Sequence, residues 1–253
     1  MAELPSPTKK DIARTTIIWG HGPTAVFPLG STTVTVTATD ASGNSASDTV
    51  VVNVVDTTPP ELTVPADVTV EQETRDGTVV PLTATATDIC DADVDITSDE
   101  LAIYPLGDTT VTFTATDDSG NSVSKSMVVH VVDTTPPEIS VTVSPDTLWP
   151  SNHKMVDITA TVLVSDICDA APTVVLTSVT SDEPDDAIGN GDGKTVNDIQ
   201  EAGIDTEDYE FKLRAERAGE GDGRIYTIVY TATDASGNSA SASATVVVPH
   251  DKR

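Results

Sequence analysis

The sequence predicts an all-β protein made of tandem β-sandwich modules in a rod, the last module enlarged by an acidic insertion. Three observations predict it. First, FPLGSTTVTVTATDASGNSASDTVVVNVVDTTPPE (27–61) returns as YPLGDTTVTFTATDDSGNSVSKSMVVHVVDTTPPE (104–138), 77 residues later and without a gap. Second, within the repeat Thr33, Thr35, Thr37 and Thr39 alternate with Val34, Val36 and Ala38, the period-two pattern of a strand with one buried face. Third, Asp40-Ala-Ser-Gly43-Asn44 breaks that run with turn chemistry, since Asp and Asn bond their own backbone and Gly permits positive φ. Short strands separated by turns at this spacing indicate a sandwich.

Taken in order, residues 1–17 read as a polar N-terminal tail or donor segment. Residues 18–56 read as an incomplete half-module. The second unit spends residues 61–102 on its opening strands, whereas the first has no equivalent of ELTVPADVTVEQ or VVPLTATATD, and RTTIIW (14–19) is the candidate to supply one strand. A half-sandwich exposes an apolar face and an open edge, so a cover is expected from upstream sequence, from the chain's own tail or from a neighbour. Residues 57–133 form a complete module. The DTTPPE linkers (56–61 and 133–138) are stiff, because two prolines fix φ and cannot donate to a ladder.

Residues 134–253 form the enlarged module. TDICDADV (87–94) recurs as SDICDAAP (165–172) at an offset of 78, but TATDASGN recurs at 231–238, 117 residues beyond its second copy. About 40 extra residues therefore intervene, placed at about 182–222.

The DTTPPE linker, the PLGxTTV strand start and TATDxSGN together resemble the hyalin repeat (HYR) family over about residues 26–180 and 225–249. The resemblance implies immunoglobulin-like modules, related to fibronectin type III, of extracellular proteins and bacterial surface adhesins. LWPSNHKM (148–155) and the segment from SDEPDD to IVYTATD resemble a bacterial variant of the module. Many members carry two cysteines per repeat, whereas each repeat here has one, Cys90 or Cys168. Equivalent points one module apart stand about 30 Å or more from each other, beyond disulfide reach. The two are expected to be idle thiols, with an intermolecular bridge as the alternative.

The charge balance of 13 basic against 41 acidic residues, net −28, repels phosphate backbones and anionic lipid and attracts cations. No nucleic acid and no membrane insertion are expected, since apolar runs such as Val50–Val52 are far too short to span a bilayer. Met1 is followed by polar AELPSPTKK rather than a leader. Either a leader has been removed or the chain is part of a longer protein.

Dense Asp/Asn/Gly loops supply the oxygens that Ca²⁺ takes six to eight at a time. The candidate metal ligands are Asp182, Asp185, Asp186, Asn190, Asp192 and Asp198 in the insertion, with Asp88, Asp91 and Asp93 in the DxCD loop. Asp166 and Asp169 repeat part of that loop, and Asp56 and Asp133 at the linkers are weaker candidates. The stretch 190–198 lacks the first and twelfth acidic ligands of an EF-hand, where Ile188 and Ile199 stand. Solvated acidic loops are the plainer reading. Arg214, Arg217 and Arg224 are expected to form salt links with the insertion's acids, Trp149 to plug a core or junction, and His130 to face outward or be satisfied by packing.

No catalytic constellation emerges: His21, His130, His153 and His250 are scattered, and no GxSxG, GxGxxG or Walker loop occurs. The leading expectation is a non-enzymatic extracellular structural or adhesive protein. It would be a calcium-stabilised spacer or a subunit of a bacterial surface stalk or filament, partnered by its own copies or by neighbouring β-sandwich modules and assembling by strand donation. The alternative is a set of accessory modules of a secreted enzyme or carbohydrate-active protein. Two Trp, four Tyr and three Phe leave few aromatic platforms for sugar, which favours the first.

Overall fold

The computed structural model describes residues 15–17, 25–185, 195–219 and 222–251. These residues form two compact units, one made of those described within 15–70 and 79–130, the other of those within 71–78 and 131–251. No helix among them is long and apolar enough to cross a membrane.

In the first unit β1 (Thr15–Ile17) pairs antiparallel with β2 (Ala25–Phe27), and β3 (Gly30–Thr39) pairs with β4 (Ser45–Val54) in register from Gly30↔Val54 to Thr39↔Ser45. The stretch expected as a complete module follows with β5 (Glu61–Thr63), β6 (Val68–Glu71), β7 (Thr85–Thr87), β8 (Asp95–Ser98), β9 (Gly107–Thr116) and β10 (Ser122–Val132), all but the last residues of β6 and β10 falling in the same unit as β1–β4. Its two sheets are β5–β7 and β6–β10–β9–β8. Alternation decides which residues enter the core: Val111, Phe113 and Ala115 of β9 and Met127, Val129 and Val131 of β10 are buried, as are Leu62, Val80 and Tyr104.

The second unit holds β11 (Glu138–Ser144), β12 (Met155–Ser165), β13 (Thr173–Ser181), β14 (Ile199–Gln200), β15 (Glu210–Arg214), β16 (Gly223–Thr233) and β17 (Ser239–Pro249). One sheet runs β11–β12–β15–β14 and the other β13–β16–β17. The extra residues thus widen the first of these sheets by two strands. Leu148, Ile158, Leu176, Phe211, Leu213, Tyr226, Ile228, Tyr230, Val246 and Val248 pack into one core. Each such Leu, Ile, Phe or Val contributes about 1.5–3 kcal/mol of burial. The two buried tyrosines keep their hydroxyls satisfied, Tyr226 donating to the Arg214 carbonyl at 2.9 Å and Tyr230 to that of Asp208 at 2.7 Å. Trp149 departs from the expectation. It is 41% exposed, while its neighbour Leu148, 2% exposed, takes the core position.

The three TATDxSGN turns close identically. Asn44, Asn121 and Asn238 each donate a backbone N–H and a side-chain N–H to the carboxylate of Asp40, Asp117 or Asp234, at 2.8–2.9 Å. The intervening Gly43, Gly120 and Gly237 sit at φ of 91°, 86° and 92°, a left-handed conformation that glycine adopts without Cβ strain. Hydroxyl pairs across the strands repeat too: Thr37 with Ser47, Thr114 with Ser124 and Thr231 with Ser241, at 2.8–2.9 Å.

Candidate linker-anchoring site

Each DTTPPE linker begins with an aspartate that folds back onto its own segment. Asp56 Oδ1 accepts from the Thr58 N–H at 3.1 Å, and Asp133 Oδ1 from that of Thr135 at 3.2 Å. A side-chain oxygen bonding two residues ahead is the local turn that Asp favours over continuing a strand. The TATDxSGN turn then grips the linker. Asn121 Nδ2 donates to the Asp56 carbonyl at 3.4 Å, and Asn238 Nδ2 to the Asp133 carbonyl at 3.0 Å. In the second unit Ser236 Oγ also donates to Asp133 Oδ2 at 2.8 Å.

The DxCD loops complete the arrangement. Asp88 Oδ1 accepts from the backbone of Cys90 and Asp91, and Asp166 Oδ1 from that of Cys168 and Asp169, at 2.7–3.0 Å. The last aspartate of each loop crosses to the turn: Asp91 Oδ2 accepts from the Asp118 N–H and Asp169 Oδ2 from the Ala235 N–H, both at 2.9 Å. Linker, DxCD loop and TATDxSGN turn are therefore laced at one pole of each module. Within the second unit Glu71 adds three bonds to the linker, from Thr134 N, Thr134 Oγ1 and Thr135 Oγ1, at 2.7–3.0 Å. The Thr134 N–H bond is the main cause that lowers the Glu71 pKa.

The lacing brings Asp56, Asp88 and Cys90 together, and Asp133, Asp166 and Cys168, each set offering three ligand atoms within 4.8 Å of one another. Asp56 Oδ2 is buried there without a hydrogen-bond partner. Both cysteines are free thiols. Burial first, then the charges of Asp56 and Asp88, push the Cys90 pKa up; burial, Asp133 and Asp166 do the same for Cys168. The Cys168 thiol donates to the Gln72 carbonyl at 3.6 Å. A thiol held in its protonated form is a poor nucleophile and a poor metal ligand. Two carboxylates and a thiol also fall well short of the six to eight oxygens of a calcium cage.

The other acidic residues expected to hold metal are spread over different tasks. Asp182 Oδ1 accepts from the Ile225 N–H at 2.7 Å, and Asp185 accepts from the Asn197 and Asp198 N–H groups at 2.8 Å. Those backbone bonds hold the Asp185 pKa below the usual carboxylate value. Asp198, 2% exposed, lies between Arg214 Nε, at 3.0 Å from its Oδ1, and Arg224 Nη1, which donates to its Oδ2. Asp91 spends its second oxygen, Oδ1, on the Asp93 N–H. Asp186, Asn190 and Asp192 lie outside the described residues.

The arginine contacts form a buried network that sequence reasoning only half anticipated. Arg224 has no exposed surface and donates to Asp198, to Glu183 at 3.1 Å, to the Pro184 carbonyl at 3.1 Å and to the Tyr226 hydroxyl at 3.1 Å. Burial works against its charge, yet the bonds to Tyr226, Asp198 and Glu183 raise its pKa above the ordinary arginine value. Glu216, also fully buried, accepts from Thr195 Oγ1 and bonds His153 Nδ1 at 3.0 Å through Oε2. Its Oε1 has no hydrogen bond, although Arg214 and Arg224 stand 3.7 and 3.9 Å away. Burial first, and then Asp198, raise the Glu216 pKa. Arg217 breaks the expected pattern and donates to the carbonyls of Ala218 and His250. His130 is partly exposed and bonds Asp108 at 2.7 Å.

The HYR domain profile matches residues 5–54 and again 55–131, half of the chain. The chain belongs to the HYR family. Hyalin of Lytechinus variegatus is 41% identical over 147 residues, covering 53% of this chain and 28% of that protein. Hyalin of Strongylocentrotus purpuratus is 44% identical over 126 residues, 46% of this chain and 10% of that protein. A rat sushi, von Willebrand factor type A, EGF and pentraxin domain-containing protein is 36% identical over 116 residues, 44% of this chain and 3% of that one. The chain thus spans less than a third of each of these relatives. Among solved structures, cadherin domains 1–4 of protocadherin gamma B7 align over 96% of this chain and 66% of theirs, at 15% identity and TM-score 0.33. Fibronectin(III)-like modules of Clostridium thermocellum CbhA align over 75% of this chain and 94% of theirs, at 14% identity and TM-score 0.28.

Proposed function

We propose that this chain is a non-enzymatic structural segment of an extracellular adhesive protein, its HYR modules holding other parts of that protein at a set spacing in a surface stalk or filament. The observation that carries this reading is the lacing of Asp56 by Asn121 and of Asp133 by Asn238 at equivalent places. A linker tied to its module through several hydrogen bonds loses the freedom that a Pro-rich connector otherwise keeps, and spacing is what such a tie serves. The similarity to hyalin supports the adhesive and extracellular part of the reading.

Partners in this reading are neighbouring β-sandwich modules or further copies of the chain. Calcium enters as a counter-ion for a surface of net charge −28 rather than as an ion caged by Asp182, Asp185 or Asp198, each of which already accepts from protein donors through at least one oxygen. Small-angle scattering of the full chain tests the reading. The pair distribution is expected to be narrow and to broaden in the double variant Asn121→Ala/Asn238→Ala. A wild-type distribution as broad as that of a chain whose linkers are replaced by Gly-Ser would sink the spacer role.

A further inference from the structure

One motif of the second unit has no task in the repeat. LWPSNHKM (148–155) lacks a counterpart in the preceding module, where the same stretch reads VEQETRDGT (70–78) and holds no aromatic. Leu148 fills the core, whereas Trp149 is 41% exposed, so core packing does not account for the tryptophan.

The loop that carries Trp149 is fastened on both sides. Before it, the Leu148 N–H donates to the Val247 carbonyl at 2.8 Å and the Val247 N–H to that of Asp146 at 2.9 Å. After it, the His153 N–H donates to the Ala215 carbonyl at 3.0 Å and the Ala215 N–H to that of Lys154 at 2.9 Å. Arg214 Nη1 adds a bond to the His153 carbonyl at 3.1 Å. These bonds hold His153 at a φ of 62°, a left-handed conformation that a non-glycine residue rarely adopts. Residues kept in such conformations by their surroundings cluster at active sites and ligand clamps. The aromatic platform is thereby in place before a ligand arrives, which spares part of the ordering cost of binding.

This loop borders a cavity of about 330 Å³, at the small end of ligand clefts. Trp149, Pro145 and Met155 give it apolar walls, and Thr147, Asn152 and Lys154 give it polar ones. Asn152 Oδ1 accepts from the Lys154 N–H at 3.1 Å. Its Nδ2 and the Lys154 Nζ have no hydrogen-bond partner among the described residues, so both are donors open to a ligand. Two other surface clefts, one beside Glu138 and Leu163 and one beside Pro59 and Ile89, are lined by no aromatic and no cation.

We propose that this cleft binds an uncharged saccharide, one ring stacked on Trp149 and its hydroxyls bonded by Asn152, Lys154 and Thr147. A sugar ring offers an apolar C–H face and a rim of hydroxyls, which is what an aromatic wall beside a few polar groups recognises. A cationic ligand is disfavoured by the Lys154 ammonium in the same cleft, and an anionic polymer by the net charge of −28. The proposal deepens the adhesive reading by naming the class of ligand and rests on it for the extracellular setting. Spacing is read by scattering and sugar binding by retention, so either fails without the other.

The test passes the fluorescently labelled full chain over immobilised oligosaccharides ending in glucose, galactose, mannose or N-acetylglucosamine, with uronate and sialylated forms alongside. Retention on at least one neutral sugar is expected. Trp149→Ala is expected to weaken it about tenfold or more, and Lys154→Met and Asn152→Ala roughly fivefold each, with the calorimetric transition of the second unit unaltered. A second measurement leaves the cleft intact. In Trp19→Phe, where Trp149 is the one tryptophan left, the retained sugar free in solution is expected to shift the emission to saturation. The proposal is overturned by retention of no sugar, by retention that Trp149→Ala leaves undiminished, or by retention of the charged forms alone. An emission change that follows chain concentration without sugar overturns it too, since the occupant is then a second copy.

Discussion

Arg224→Met removes the centre of the buried ionic network while keeping most of the side-chain volume. Among the groups that lose a donor are Asp198, Glu183, the Pro184 carbonyl and the Tyr226 hydroxyl. Asp198 retains Arg214, and Glu183 retains the Ala218 N–H at 2.6 Å, so neither carboxylate is left bare. Removing one partner of a buried pair costs roughly 3–5 kcal/mol, and these residual bonds place the expected loss near the lower end, about 3 kcal/mol. At about 2–4 °C per kcal/mol for a unit of this size, the transition of the second unit falls by roughly 6–12 °C. Differential scanning calorimetry on the full chain reads this directly, because the first unit contributes no residue to the network and serves as an internal standard. A shift of the second-unit transition below about 1 kcal/mol would show that the network behaves as a surface ion pair and would refute the reasoning. Equal shifts in both transitions would refute the assignment to one unit.

Four further outcomes are expected. Glu216, whose folded pKa is raised, contributes stability that is present at low pH and lost as pH rises past 4.5 through its folded value; Glu216→Gln is expected to flatten that dependence in urea titrations at successive pH. Asp40, Asp117 and Asp234 behave oppositely. Hydrogen bonds, chiefly from Asn44, lower the Asp40 pKa; for Asp117 and Asp234 burial opposes the shift but the bonds from Asn121 and Asn238 outweigh it. Their stability is present above the unfolded carboxylate value of 3.8 and lost as pH falls through the folded ones, which acid titration followed by circular dichroism checks. Gly223→Ala is expected to destabilise the second unit in urea titrations, by about 2 kcal/mol or more: its φ is +116° and an added Cβ would stand 2.5 Å from the Val248 carbonyl oxygen. Cys90 and Cys168 are expected to react with a disulfide reagent several-fold more slowly than a free thiol at pH 8, because burial and carboxylates raise both pKa values; reaction at the free-thiol rate would contradict that environment.

Much of the anchoring site was legible because its parts recur. DTTPPE, DxCD and TATDxSGN return together, and residues that return together across a module are candidates to meet in space. That they do meet, with Asn121 and Asn238 gripping the linker carbonyls across 65 and 105 residues of separation, is something no local pattern encodes. Acidic density at Asp182, Asp185 and Asp198 does not show which donors reach each carboxylate, and those donors are backbone N–H groups and two arginines. Glu183, Asp198 and Glu216 sit in polar stretches that read as solvated loop, and only the placement of β15 and β16 turns them inward around Arg224. Trp149 misleads by size: a large aromatic among few suggests a plug, yet the chain direction at Leu148 delivers the smaller side chain to the core.

The sequence by itself determined the module period, the strand alternation and the turn chemistry, because each rests on neighbours within a few residues. The Thr-Val alternation makes one face apolar, and Asp-x-Ser-Gly-Asn closes its own turn through Asp carboxylates and a left-handed glycine. Tertiary structure alone decided which polar side chains turn inward. Arg224 and Glu216 are fully buried and Asp198 is 2% exposed, with Arg224 meeting Asp198 across 26 residues of sequence, and nothing in their local pattern sets them apart from the exposed charges around them. Burial is a property of what packs against a side chain, and the pairing of distant strands sets that.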